Sequence, residues 1–150
     1  MNSNYLGCFE HDENDKLCIT HCDNTDECSG EIPQSITSLN GLQHLKLSYN
    51  NLSGFIPEEI GEIDSLKYLY LDNNNLSGRI PPSIGNLTNL KRLYLLNNNL
   101  SGQIPESICT IYTINANFWS YLNNNELCPG STGYPECIPE AHLGPQSCAP

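Results

Sequence analysis

The side chains with the most chemical content recur at a constant interval. His44, Tyr68 and Arg92 are 24 residues apart, as are Lys46, Tyr70 and Tyr94, and Ser48, Asp72 and Leu96. Trp119, Tyr121 and Asn123 continue the three series if three residues are inserted in the last interval. Phenol, indole and guanidinium groups brought together are the chemistry of recognition, because they bury much area at little entropic cost. The candidate ligand-binding residues are therefore His44, Lys46, Tyr68, Tyr70, Asp72, Arg92, Tyr94, Trp119 and Tyr121. Tyr68, Tyr70, Arg92 and Tyr94 are the anchors, and His44, Lys46 and Asp72 set polarity. The alternative is bracing: tyrosine suits strands, and cross-strand aromatic pairs stabilise a sheet. Trp119 stands either on the same surface or in the core of a cap.

The other reactive groups point elsewhere. Eight cysteines form two groups of four, Cys8, Cys18, Cys22 and Cys28, then Cys109, Cys128, Cys137 and Cys148, with none between. An even number at each end argues for disulfides in an oxidising compartment. Pairing confined to each group leaves nine connectivities open. A zinc site of His11, Cys18, His21, Cys22 and Cys28 is the weaker reading, since the spacing fits no standard pattern. The acidic runs 12–15 and 23–27 lack the glycine and terminal glutamate of a calcium loop, and read as a solvated surface. No metal and no cofactor is expected. Catalysis finds no nucleophile elbow, no His-Glu-x-x-His and no phosphate loop. Asn51, Asn75, Asn86 and Asn99 head Asn-x-Ser/Thr sequons, the acceptors of glycosylation in a secreted protein. Three of them also fall where the repeat itself dictates Asn-Leu-Ser.

That repeat must position all of these groups. Gly30, Gly54, Gly78 and Gly102 each open a Gly-x-Ile-Pro phrase, and an isoleucine follows three residues after each proline. A leucine ladder comes next, as in Leu66, Leu69, Leu71, Asn74, Leu76. Around Leu69, alternation predicts a short strand with leucines inward and tyrosines outward. Asn50, Asn74 and Asn98 turn inward, where an amide both donates to and accepts from the turn backbone. The prolines supply no donor and so belong on an irregular side. From Gly102 to Asn125 the interval is three residues longer than in the earlier units, which distorts the fourth coil. One coil alone leaves its apolar side bare, so coils must stack and the ends must be capped.

The Gly-x-Ile-Pro phrase resembles the plant-specific subclass of the leucine-rich repeat. It is similar to the repeats of receptor-like kinases and polygalacturonase-inhibiting proteins over roughly 30–128. The stretch 127–137 also looks like the cap of secreted leucine-rich repeat proteins of marine bacteria and protists. The resemblance implies an α/β solenoid of about four coils, right-handed and curved. A short parallel sheet would line the concave side, irregular or 3-10 turns the convex side, and disulfide caps both ends. It also implies protein or peptide recognition. The expected organisation is one domain, 1–150: an N-terminal cysteine-rich cap over 1–29, repeats over 30–108, and a distorted last coil with a C-terminal cap over 109–150.

The formal charge is −11, which excludes nucleic acid as a partner. No apolar run is long enough for a membrane span, and Met1 to Gly7 lacks the features of a secretory signal. The expectation is a chain whose signal has been replaced by Met1, or a fragment. It is expected to be secreted or on a cell surface, and to be a monomer or weakly self-associating. Its ligand is a protein or peptide, with a glycan, or an adhesive role in a larger surface protein, as alternatives. Four coils offer less than the roughly 800 Å² per partner of a stable interface, so a lone module binds weakly.

Overall fold

Each coil begins with a proline whose carbonyl, not its missing N–H, is used. Ile36, Ile60 and Ile84 donate to Pro33, Pro57 and Pro81 at 3.0 Å, opening 3-10 turns over Gln34–Ser38, Glu58–Glu62 and Pro82–Asn86. These turns form the convex side. Successive ones pack closely: a Cβ at Gly85 would strike the Ser107 carbonyl, and Ser107 donates to Pro82 at 2.6 Å. Only glycine permits that approach.

The computed structural model describes residues 29–39, 41–131 and 133–148, together with the backbone strands at 8–11 and 17–20. The strands are β1 (Cys8–His11), β2 (Leu17–Thr20), β3 (Ser29–Glu31), β4 (His44–Lys46), β5 (Asn51–Ser53), β6 (Tyr68–Tyr70), β7 (Ser77–Gly78), β8 (Arg92–Tyr94), β9 (Asn99–Gln103), β10 (Trp119–Tyr121) and β11 (Glu126–Cys128). The helices are α1 (Ile108–Ile114) and α2 (Glu140–Leu143). The concave sheet runs β1-β2-β4-β6-β8-β10, antiparallel only at β1–β2. A second row of strands is absent from the sequence reading: β3 pairs with β5, and β9 with both β7 and β11.

Between the rows lies one leucine–isoleucine core. Leu45, Leu69, Leu93 and their neighbours are wholly buried. Full burial of one such side chain contributes about 1.5–3 kcal/mol, which single coils could not supply alone.

Asparagines tie the coils together. Asn98 Nδ2 donates to Leu71 O (3.0 Å) in the preceding coil and Leu95 O (3.1 Å) in its own, and Oδ1 accepts from Leu76 N at 3.0 Å. Asn74 and Asn125 repeat the pattern on Leu47, Leu71 and Leu52, and on Leu95, Leu122 and Leu100. The last rung is a substitute. Gln146, in the cap, donates to Leu122 O (2.9 Å) and Leu143 O (2.8 Å) and accepts from Leu127 N (3.3 Å). Tyr49, Asn73, Asn97 and Asn124, each just before a rung, have φ of 54–58°, a region asparagine enters more readily than most residues.

The C-terminal cap is closed by Cys109–Cys137 and Cys128–Cys148, one of the three pairings open to that group. The first ties α1 to the segment before α2, and the second ties β11 to the end of the cap. The side chains of Cys8, Cys18, Cys22 and Cys28 lie outside the described residues, as does the zinc alternative. Among the described residues, no cluster of metal-ligating side chains occurs and no helix is long and apolar enough to cross a membrane.

Candidate functional site

Parallel pairing sets the outward side chains in register. His44 pairs with Tyr68, Tyr68 with Arg92, and Arg92 with Trp119. Lys46, Tyr70, Tyr94 and Tyr121 form the second column. Strands lie about 4.7–4.9 Å apart, so each column is a row of touching groups. The three-residue insertion therefore falls outside the strand, and Trp119 and Tyr121 extend the columns.

The rings form a continuous ribbon. Centroid separations are 4.5 Å for His44–Tyr68, 6.1 Å for Tyr68–Tyr70, 4.7 Å for Tyr70–Tyr94 and 4.8 Å for Tyr94–Tyr121. Trp119 joins at 6.0 Å from Tyr121. Interplanar angles of 46° to 78° tilt each ring against the next, so the ribbon is corrugated. The Lys46 ammonium lies 6.0 Å from the Tyr70 centroid, the outer limit of a cation–π contact. Arg92 Nη1 donates to the Lys91 and Asn117 carbonyls, both at 2.8 Å, which orients the guanidinium without neutralising it.

Burial, then the proximity of Tyr94, holds the Tyr70 hydroxyl above its ordinary value of 10.0, with Arg92 partly opposing. It is thus a protonated donor at physiological pH. Among the described residues, none of the hydroxyls of Tyr68, Tyr70, Tyr94 and Tyr121 is engaged by a hydrogen bond.

Asp72 behaves differently from the other candidates. It is only 6% exposed, and its carboxylate accepts from Ser48 Oγ (2.5 Å) and Asn73 Nδ2 (2.8 Å). Its charge is turned into the margin of the sheet. Trp119 is 42% exposed yet also lies against the cap, 4.1 Å from the His142 ring.

His142 belongs to a group that periodicity does not reveal. Ser120 fills the inward position that Leu45, Leu69 and Leu93 hold in other coils, and is wholly buried. Tyr112 of α1 occupies the space, packing edge-on against Phe118 at 4.7 Å. Its hydroxyl meets Ser120 Oγ and His142 Nδ1, both at 2.8 Å. Burial raises the Tyr112 pKa and lowers that of His142. The only sequence signal was a serine where leucine was due.

The sequon asparagines lie away from the ribbon. Asn51, Asn75 and Asn99 are exposed on the second strand row, where Asn75 Nδ2 donates to Asn51 Oδ1 at 2.5 Å. Asn86 is exposed at the end of a convex turn. A recess of about 560 Å³, lined by Arg79, Gly102, Gln103, Glu106 and Ser131 among others, also follows the second row and includes no ribbon residue.

Comparison with known proteins gives this architecture a family. Residues 31–76 match the model of the leucine rich repeat, and residues 64–108 the model of leucine rich repeats in two copies. No curated protein sequence matches. The chain is similar to the ectodomain of BIR2 from Arabidopsis thaliana (31% identity, TM-score 0.65), over 80% of this chain and 62% of that one. It is similar to a chain of the Arabidopsis thaliana BIR3–SERK2 complex (32%, TM-score 0.67), over 82% of this chain and 71% of that one. It also resembles the ectodomain of the Arabidopsis receptor kinase HAESA, solved with an IDA peptide hormone ligand (37%, TM-score 0.59), over 66% of this chain and 16% of that one. Ectodomains of this kind are generally non-catalytic, and with the two disulfides they place the chain among extracellular or secreted proteins. The repeat phrase, the coil geometry and these likenesses agree: the chain belongs to the leucine-rich repeat proteins of the plant type.

Proposed function

We propose that the chain is a recognition module that binds a protein or peptide on its concave face. One observation carries the reading: a continuous ribbon of rings crosses β4, β6, β8 and β10, with Lys46 and Arg92 in the same columns. Sheet bracing accounts for ring contacts but not for the Lys46 ammonium and Arg92 guanidinium set among them. The likeness to ectodomains solved with a receptor partner or a peptide hormone supports the same class of ligand.

The anchors are Tyr68, Tyr70, Arg92 and Tyr94, with Trp119 and Tyr121 extending the contact toward the cap. The test is the double variant Tyr70→Ala/Tyr94→Ala in a pull-down of secreted proteins, run beside a glycan array. The variant should fold, at a cost of about 2 kcal/mol from lost cross-strand pairs. It should bind the captured partner at least about 30-fold more weakly, as for two interface hot spots. Undiminished capture would mean that the tyrosines only brace the sheet.

A further inference from the structure

From β4 to β10 the concave face has a charge opposite to that of the chain as a whole. The four segments 43–48, 67–72, 91–96 and 118–123 hold Lys46, Lys67, Lys91 and Arg92, four of the chain's six cations, but only Asp72 of its 17 carboxylates. Asp72 is itself buried and held by Ser48 and Asn73.

Among the described residues, none of these four cations is paired with a carboxylate. Lys67 Nζ donates to the neutral Gln43 Oε1 at 2.9 Å, and Arg92 is held by two main-chain carbonyls. Lys91 is exposed. Among the described residues the only ion pair is Arg79–Glu58, at 3.7 Å and outside this face. Tyr68 shares a column with Arg92, and Tyr70, Tyr94 and Tyr121 share one with Lys46. These segments are rich in donors and positive charge, and nearly bare of accessible carboxylates. At physiological salt the screening length is about 8 Å, so a docked partner feels these local cations before the net charge of the whole.

We infer that the partner is an acidic peptide segment, whose carboxylates meet Lys46, Lys67, Lys91 and Arg92 and whose other side chains rest on the corrugated ribbon of rings. The inference rests on the concave-face reading above. Peptide is favoured over an anionic polysaccharide because the rings are tilted by 46° to 78°. They present an uneven surface to side chains instead of a flat platform for sugar rings.

The experiment selects a random dodecapeptide display library on the intact immobilised chain and measures the enriched peptides in solution. The expected peptides carry excess Asp and Glu. They should weaken about ten-fold when these become Asn and Gln, and comparably with Lys46→Gln/Lys91→Gln. Binding should fall as sodium chloride rises, and Arg79→Gln should leave it unchanged. Neutral or basic peptides lost with Tyr70→Ala/Tyr94→Ala would overturn the acidic partner and leave the concave face standing. Acidic peptides indifferent to both double variants would overturn both. Failure to enrich any peptide overturns the acidic-peptide assignment, and the pull-down still decides the concave-face reading. Displacement of the peptides by oligogalacturonate or heparin at lower concentration would overturn it in favour of a polysaccharide.

Discussion

The middle coils and the last coil solve the same problem with different chemistry. In the middle, a five-residue 3-10 turn crosses the convex side and leucine fills the inner strand position. In the last coil, the seven-residue α1 crosses it and serine sits where leucine was. Five residues of 3-10 helix span about 10 Å, and seven of α-helix about 10.5 Å. The longer sequence thus covers the same distance: two residues are added in the turn before α1 and two within the helical segment, and the link to β10 is one residue shorter than the link to β8. The strand never leaves register, because Asn125 makes the same bonds as Asn98. An insertion leaves the concave sheet in register when the convex crossing absorbs it.

Why the last coil exchanges leucine for a polar group follows from its neighbour. The middle coils face another apolar coil, whereas the last faces the cap. The Ser120–Tyr112–His142 hydrogen bonds supply a specific partner there. The largest effect should therefore come from Leu93→Ala, which opens a cavity in a fully packed coil and should cost about 3 kcal/mol. Ser120→Ala should cost about 1 kcal/mol, since Tyr112 keeps His142. Denaturant melts of the two variants test the contrast, and equal losses would erase it.

Asn98→Ala should come next, at about 2–3 kcal/mol, because it strands a buried donor and two buried carbonyls. For a chain of this size that is roughly a 4–12 °C fall in Tm. Gln146→Ala removes the substitute rung near the surface and should cost about 1 kcal/mol, seen as faster amide exchange at Leu127 with Leu76 unaffected. The smallest effect is pH dependence. Burial holds the His142 pKa below its ordinary 6.5, so the unfolded chain takes up the proton first. The His142 contribution is whole above 6.5 and declines as pH falls through that value toward the folded one. Wild-type Tm should therefore drop more than that of His142→Gln between about pH 7.5 and 5.5, and parallel curves would remove His142 from the account.

The middle coils were legible in the sequence and the ends were not. A strict period places Tyr68 beside Arg92 and Asn74 beneath Asn98, because stacking converts sequence interval into contact. Trp119 and Tyr121 could be placed once the interval to Asn125 was seen to be three residues longer. The burial of Asp72 depends on whether a serine 24 residues earlier reaches it, which no periodicity states. Contacts such as Tyr112 with His142, 30 residues apart, and Cys109 with Cys137 occur once, so no repeat announces them. The second strand row was hidden in Asn-Leu-Ser, which reads equally well as a turn.

The asparagine ladder also orders events in time. Each rung reaches backward: Leu52 N, Leu76 N and Leu100 N are satisfied by Asn74, Asn98 and Asn125, which are synthesised 22 to 25 residues later. A chain emerging from the ribosome thus always carries one coil with an open donor at its tip. Each new coil relieves the previous one and creates the next vacancy. Gln146, 19 residues after Leu127, ends the succession by closing the final donor without opening another.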